Sequence, residues 1–176
     1  MIIKTKRISI YSLNLNNLES ILNNKDYSFG DIDSSLTNPD KILVNDNYLL
    51  NLRINQLKMD KELTNWLLHI VVDNKSKQIV GNVGFHNRPD SRGVVEFGIT
   101  IGSSYRKQGY AYEAIRALCL SAIDSGIVKI IRASVSPDNI ASNNLIKKLG
   151  LKKIGQQIDE IDGLEYIFEI RADDFV

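Results

Sequence analysis

Ala111, Ala114, Ile115, Leu118, Cys119, Ala122 and Ile123 recur at alternating steps of three and one, forming one wide apolar stripe on a helix that Gly126 ends. The stripe constrains the chain because strand-like runs flank it. Val94 to Ile101 comes before, and Ile127 to Val135, apolar enough for a central strand, comes after. Between the first run and the helix lies Ser104-Tyr-Arg-Lys-Gln-Gly-Tyr-Ala-Tyr-Glu-Ala114, in which Arg106-x-x-Gly109-x-Ala111 makes a short basic turn. A helix N-terminus carries unpartnered N–H groups and partial positive charge. With Gly109 and Ala111 keeping bulk away and Arg106 and Lys107 adding charge, a pyrophosphate can approach the main chain. The turn reads as a phosphate cradle; a plain strand–turn–helix junction is the alternative.

At 176 residues the chain is expected to be one domain, 1–176, with a sizeable core and no internal boundary. Its net charge of +1 gives no electrostatic case for nucleic acid or an anionic membrane as partner. One cysteine, Cys119, excludes an intramolecular disulfide, fits a reducing compartment and falls on the apolar helix face, where it reads as core. No apolar span suits a signal peptide or a membrane helix, so a cytoplasmic, soluble protein is expected.

Alternation from Ile2 to Tyr11 predicts one half-exposed strand, and Leu15, Leu18, Ile21 and Leu22 predict a helix. Asn23 to Asn38 is turn-rich; Asp40 to Lys58 reads as one helix, with a possible break around Asn45-Asp-Asn47. Trp66 to Val72 and Gln78 to His86 read as strands joined by a hairpin at Asp73 to Lys77. Ser136 or Asp138 can cap a helix opened by Ser136-Pro-Asp-Asn139, with Leu145, Ile146 and Leu149 buried and Gly150 as its stop. Leu151 to Ile158 and Glu165 to Ile170 close as a hairpin around Asp162-Gly163. The order β-α-α-β-β-β-α-β-α-β-β gives an α/β (α+β) class, a mixed sheet covered by helices.

Neither common nucleotide loop, G-x-x-x-x-G-K-[ST] or G-x-G-x-x-G after a strand, is in the chain. What the chain does have is Glu96-x-Gly98, then Arg106-x-x-Gly109-x-Ala111, then Asn139-x-x-Ser142 and Leu149-Gly150-Leu151. That ordered set resembles the GNAT superfamily of acyl-CoA-dependent N-acetyltransferases. The resemblance starts at Lys4-Thr-Lys-Arg-Ile-Ser-Ile10, similar to the first strand of the ribosomal-protein N-terminal acetyltransferase branch, and is strongest from Ile79 to Leu151. It implies the GNAT fold: a mixed, mostly antiparallel sheet flanked by helices. Two parallel strands, here ending near Ile101 and Val135, would splay apart to receive pantetheine.

The resemblance also implies acetyl transfer from acetyl-CoA to a primary amine by direct attack in a ternary complex. On that reading the main chain of Arg106, Lys107, Gln108, Gly109, Tyr110 and Ala111 binds pyrophosphate, with at most one of Tyr110 and Tyr112 touching the cofactor. Ile99, Thr100 and Ile101 would offer main-chain groups to the pantetheine amides, ordinary strand pairing being the alternative. Asn139 and Ser142, one turn apart, would lie beside the pantetheine arm and its sulfur; helix capping is the plainer role for both. Many members carry a tyrosine seven residues after the asparagine. Ile146 stands there, so Ser142 is expected to assist the departing thiolate instead.

Glu96 is the single carboxylate of an otherwise apolar strand, on the face shared with Gly98 and Thr100. An α-amine titrates near about 8 and a lysine near about 10.4, so a partly buried carboxylate can take the proton directly or through water. With the resemblance, Glu96 is the expected base or acceptor ligand; alone it reads as an outward glutamate. His86 could border the acceptor pocket, whereas His69 reads as structural. The acidic turn Asp159, Glu160 and Asp162 could attract a cationic amine, and the lysines at 147–148 and 152–153 read mainly as surface. No metal-ligand spacing and no nucleophile motif for an acyl-enzyme occurs. A protein N-terminus and a small-molecule amine both suit as acceptor, and a homodimer stays open. The rival is a non-catalytic acyl-CoA-binding or sensor module of the same fold; an unrelated α/β domain is the third reading.

Overall fold

The computed structural model describes residues 1–161 and 163–175. Eight strands form one sheet: β1 (Ile2–Lys4), β2 (Ile8–Ser12), β3 (His69–Asp73), β4 (Ile79–Phe85), β5 (Val94–Ile101), β6 (Ile130–Val135), β7 (Lys152–Asp159) and β8 (Gly163–Arg171). Their order is β1-β2-β3-β4-β5-β6-β8-β7, antiparallel except for the β5–β6 pair. Four α-helices cover it: α1 (Leu15–Asn23), α2 (Asn47–Met59), α3 (Tyr110–Ile123) and α4 (Ile140–Lys148).

Each face of the sheet has its own core. Ile115, Leu118 and Cys119 of α3 and Ile146 of α4 bury against Val83, Phe85, Val95, Phe97 and Ile131. On the other face Leu18 and Ile21 of α1 and Leu50, Ile54 and Leu57 of α2 bury against Ile70, Val72 and Ile79. Each fully buried aliphatic side chain contributes about 1.5–3 kcal/mol, so the α3 stripe holds that helix to the sheet. No helix among the described residues is long and apolar enough to cross a membrane.

The expected single strand at Ile2–Tyr11 is instead a hairpin, which makes eight strands where seven were expected. The Thr5 hydroxyl accepts from the Arg7 and Ile8 amides and closes the corner. The expected helix at Asp40–Lys58 starts only at Asn47, capped by Asp46. Before it, Lys41 and Leu43 have φ of 50° and 67°, and Asn38 bonds both main-chain groups of Ile42. The strand expected from Trp66 begins at His69, because residues 61–65 form a short 3-10 turn. The strand expected from Ile127 begins at Ile130. Asn139, rather than Ser136 or Asp138, caps α4: its side chain accepts from the Ser142 amide. The hairpin joining β7 and β8 is present; Asp162, named for its turn, lies outside the described residues.

Candidate active site

Pairing between the parallel strands is short. Val94, Val95 and Glu96 pair with Ile130, Ile131 and Arg132, and among the described residues the ladder goes no further, although both strands continue. Glu96 is therefore the last residue of β5 paired with β6, at the vertex of a V. On the opposite edge the His86 amide donates to the Glu96 carbonyl and the Gly102 amide to the Val80 carbonyl. In an antiparallel ladder alternate residues point their main chain to the partner, so Glu96, Gly98, Thr100 and Gly102 face β4. Phe97, Ile99 and Ile101 direct theirs into the V. Thr100, expected among the groups offered to a pantetheine arm, spends its main chain on Asn82; Ile101 keeps its orientation but its carbonyl accepts from Arg106 Nε at 3.2 Å.

The register Ile70–Asn82–Thr100 sets Glu96 on the face that carries α1 and α2. Its carboxylate is 3.8 Å from His86 Nδ1, with side-chain exposures of 22% for Glu96 and 54% for His86. A Cβ on Gly98 would come within 3.3 Å of His86 Nε2, so the ring lies where residue 98 has no side chain. Desolvation lowers the His86 pKa, helped by the charge of Arg53 and opposed by Glu96 and Glu165. Two side chains of α2, Arg53 through Nη1 and Gln56 through Nε2, donate to the His86 carbonyl at 3.0 Å each. Arg132, across from Glu96 on β6, gives its Nε to Glu169 Oε1 at 2.9 Å.

The basic turn leads into α3 with Lys107 at φ 59° and Gly109 at φ 84°. Asn14, Asp46 and Asn139 cap α1, α2 and α4 through their side chains; α3 has no side-chain cap. Arg106, Lys107, Gln108 and Gly109 are exposed, and Tyr110 and Ala111 half-buried. Arg7, from the β1–β2 corner, donates Nε to Glu113 Oε2 at 2.7 Å and Nη1 to the Gln108 carbonyl at 3.1 Å. The Tyr110 hydroxyl donates to Asp73 at 3.0 Å, whereas Tyr112 lies under Lys148 Nζ, 4.5 Å from its ring centre. Asp40 accepts from the amide and hydroxyl of Ser104, pinning the segment before α2 to the start of the turn.

At α4, Asn139 Oδ1 accepts from the Ser142 amide at 3.1 Å, so the capping role is present; the cap does not use the Asn139 Nδ2 donors. Ile146 is 2% exposed and belongs to the core rather than to the V. Burial pushes the Cys119 thiol up, and burial pulls His69 down to about 4 while its Nδ1 lies 3.3 Å from the Val83 carbonyl. Among the described residues no cluster of His, Cys, Asp and Glu could hold a metal ion.

Residues 41–152 match the acetyltransferase (GNAT) domain family. The uncharacterized N-acetyltransferase YjdG of Bacillus subtilis (strain 168) is 36% identical over 81 residues, 46% of this chain and 48% of that protein. The chain spans about half the length of the curated relatives it matches. Ribosomal-protein-S5-alanine acetyltransferase from Vibrio fischeri has a similar structure, with a TM-score of 0.68 at 15% identity, covering 100% of this chain and 99% of that one. The microcin C7 self-immunity acetyltransferase MccE, in complex with acetyl-CoA and AMP, gives a TM-score of 0.66 at 22% identity over 95% and 93% of the two chains. At such identities the solved structures speak to the fold alone.

Proposed function

Because the chain belongs to the GNAT acetyltransferase family, we propose that it transfers an acetyl group from acetyl-CoA to a primary amine, by direct attack in a ternary complex. The observation that carries the reading is one juxtaposition: an α-helix without a side-chain cap beside a strand edge that leaves its partner at Glu96. The residues present fit a CoA-type ligand. The α3 N-terminus and the main chain from Arg106 to Ala111 would hold the diphosphate, and the main chain of Ile99 with the Ile101 N–H the pantetheine amides.

Acetyl-CoA supplies an activated thioester. What the chain supplies is position, charge and proton transfer. Glu96 accepts the proton of the incoming ammonium, directly or through water, and His86, neutral at physiological pH, lies beside it as part of the acceptor wall. The Ser142 hydroxyl hydrogen-bonds to the departing sulfur, which as a thiolate is a fair leaving group and needs no strong acid. Cys119 is sealed in the core, consistent with a route without an acyl-enzyme. The acceptor is a protein N-terminus or a small-molecule amine, and the setting a reducing cytoplasm.

Calorimetric titration of acetyl-CoA tests the cradle. Binding that disappears in a folded Gly109→Glu variant supports it, and thiol release across an amine panel then identifies the acceptor. Binding without release for any amine favours the non-catalytic module; no binding to the wild type overturns the proposal.

A further inference from the structure

Arg7 stands in the corner between β1 and β2, far in sequence from every expected cofactor residue, yet its guanidinium reaches the start of α3. Nε bonds Glu113, Nη1 bonds the Gln108 carbonyl, and the guanidinium lies over the Tyr110 ring, 5.0 Å from its centre. Glu113 is itself fixed from a second side, accepting the Thr5 hydroxyl. One corner of the sheet thus grips both the first turn of the helix and the peptide that precedes it.

The grip has a directional consequence. Among the described residues every peptide bond is trans. In a trans peptide the C=O and the following N–H lie in one plane and point in opposite directions within it. Drawing the Gln108 carbonyl toward Arg7 therefore turns the Gly109 N–H away from it. The turn needs such a hold, because Gln108 sits between two left-handed residues, and Lys107 adopts that conformation with a side chain, at a cost of about 1–2 kcal/mol.

We infer that Arg7 is a positioning residue that sets the Gln108–Gly109 peptide so that the Gly109 N–H faces the diphosphate of the cofactor, coupling the β1–β2 corner to cofactor affinity. This rests on the acetyl-CoA reading above. Arg7 touches no reacting atom; it acts on the main chain, and its planar fork holds Glu113 through Nε and the carbonyl through Nη1 in one fixed geometry, which the rotatable point charge of lysine does not impose.

Arg7→Met, Arg7→Lys and Glu113→Gln are compared with the wild type by acetyl-CoA titration, steady-state kinetics and the Gly109 amide resonance of the ¹⁵N-labelled protein. Arg7→Met is expected to raise the Kd and KM for acetyl-CoA about tenfold, the scale of one charge-assisted hydrogen bond. The kcat at saturating cofactor and the KM for the amine stay unchanged, and the Gly109 resonance moves in the ligand-free protein. Arg7→Lys, which keeps the charge and the fold, falls between, and so does Glu113→Gln. Unchanged cofactor affinity in folded Arg7→Met, or in Arg7→Lys should the first not fold, overturns the proposal; so does a loss confined to kcat. A wild type that takes up no acetyl-CoA instead overturns the functional reading, and with it the affinity claim. The free-protein resonance then decides the peptide orientation alone.

Discussion

His86 and Glu96 meet twice: the His86 amide donates to the Glu96 carbonyl at 2.8 Å, and its imidazole Nδ1 lies 3.8 Å from the Glu96 carboxylate. The backbone bond is the last rung of the β4–β5 ladder and fixes the spacing of the two side chains. Desolvation, the chief cause of the lowered His86 pKa, favours the neutral imidazole beside the Glu96 carboxylate, and the proposed function makes Glu96 the base.

Glu96→Gln is accordingly expected to lower kcat by about 10²–10⁴-fold, the span of general base catalysis, with acetyl-CoA affinity unchanged. Thiol release across pH and calorimetry measure the two halves. Turnover equal to wild type at every pH would remove Glu96 as the base.

Asn139 has one atom committed to the cap of α4 and two donors outside it, so two substitutions separate the roles. Aspartate caps as well as asparagine, whereas alanine forfeits about 1 kcal/mol. Asn139→Asp should melt with the wild type and lose turnover; Asn139→Ala should lose both. Full activity in the aspartate variant would reduce Asn139 to a cap.

Gly109 and Gly126 bracket α3 with φ of 84° and 78°, and an added Cβ meets only Arg7 Nη2 at 3.4 Å at the first and nothing within 4 Å at the second. Alanine at either position should cost about 1–2 kcal/mol from backbone strain alone. Only Gly109→Ala is expected to weaken acetyl-CoA binding. Equal loss of affinity in both variants would assign the effect to general destabilisation.

His69 makes stability fall in acid. Buried, it titrates near about 4 against an ordinary 6.5, so between those values the unfolded chain binds a proton that the native state refuses. Stability is whole above about 6.5 and declines as pH drops toward 4, by on the order of 3 kcal/mol. Urea melts of His69→Phe should show a flatter acid limb than the wild type; parallel limbs would place the acid sensitivity elsewhere.

The α3 helix and its glycine-bearing entry were legible because both signals are local: a stripe within one window and a turn next to it. The β1–β2 corner was not, since alternation continues through residues 2–11 and the reversal depends on the Thr5 hydroxyl. The α2 start was half legible, as a break near Asn45 that is in fact the cap at Asp46. The contacts that shape the candidate site join residues far apart in sequence: Arg7 with Glu113 and Gln108, Asp40 with Ser104, Arg53 with His86. No windowed pattern carries those pairs, because nothing in the sequence around one member points to the other. Thr100 shows a further limit. Composition placed it on the right strand, but only the register tells which residues turn their amides outward.

Among the described residues, three pairs join β5 to β6 across the middle of the sheet. The strands before that seam, with α3 seated on them, and the strands after it, with α4, are two leaves sharing one short spine. A ligand lying along the inner edge of β5 would complete the missing rungs and bind the leaves together. The amide hydrogens of Ile99 and Ile101 would report on this directly: expected to exchange readily in the ligand-free protein, they should become slow to exchange once acetyl-CoA is added. On that reading the gap between β5 and β6 would take the ligand as one more strand, joining the two leaves as well as serving the chemistry.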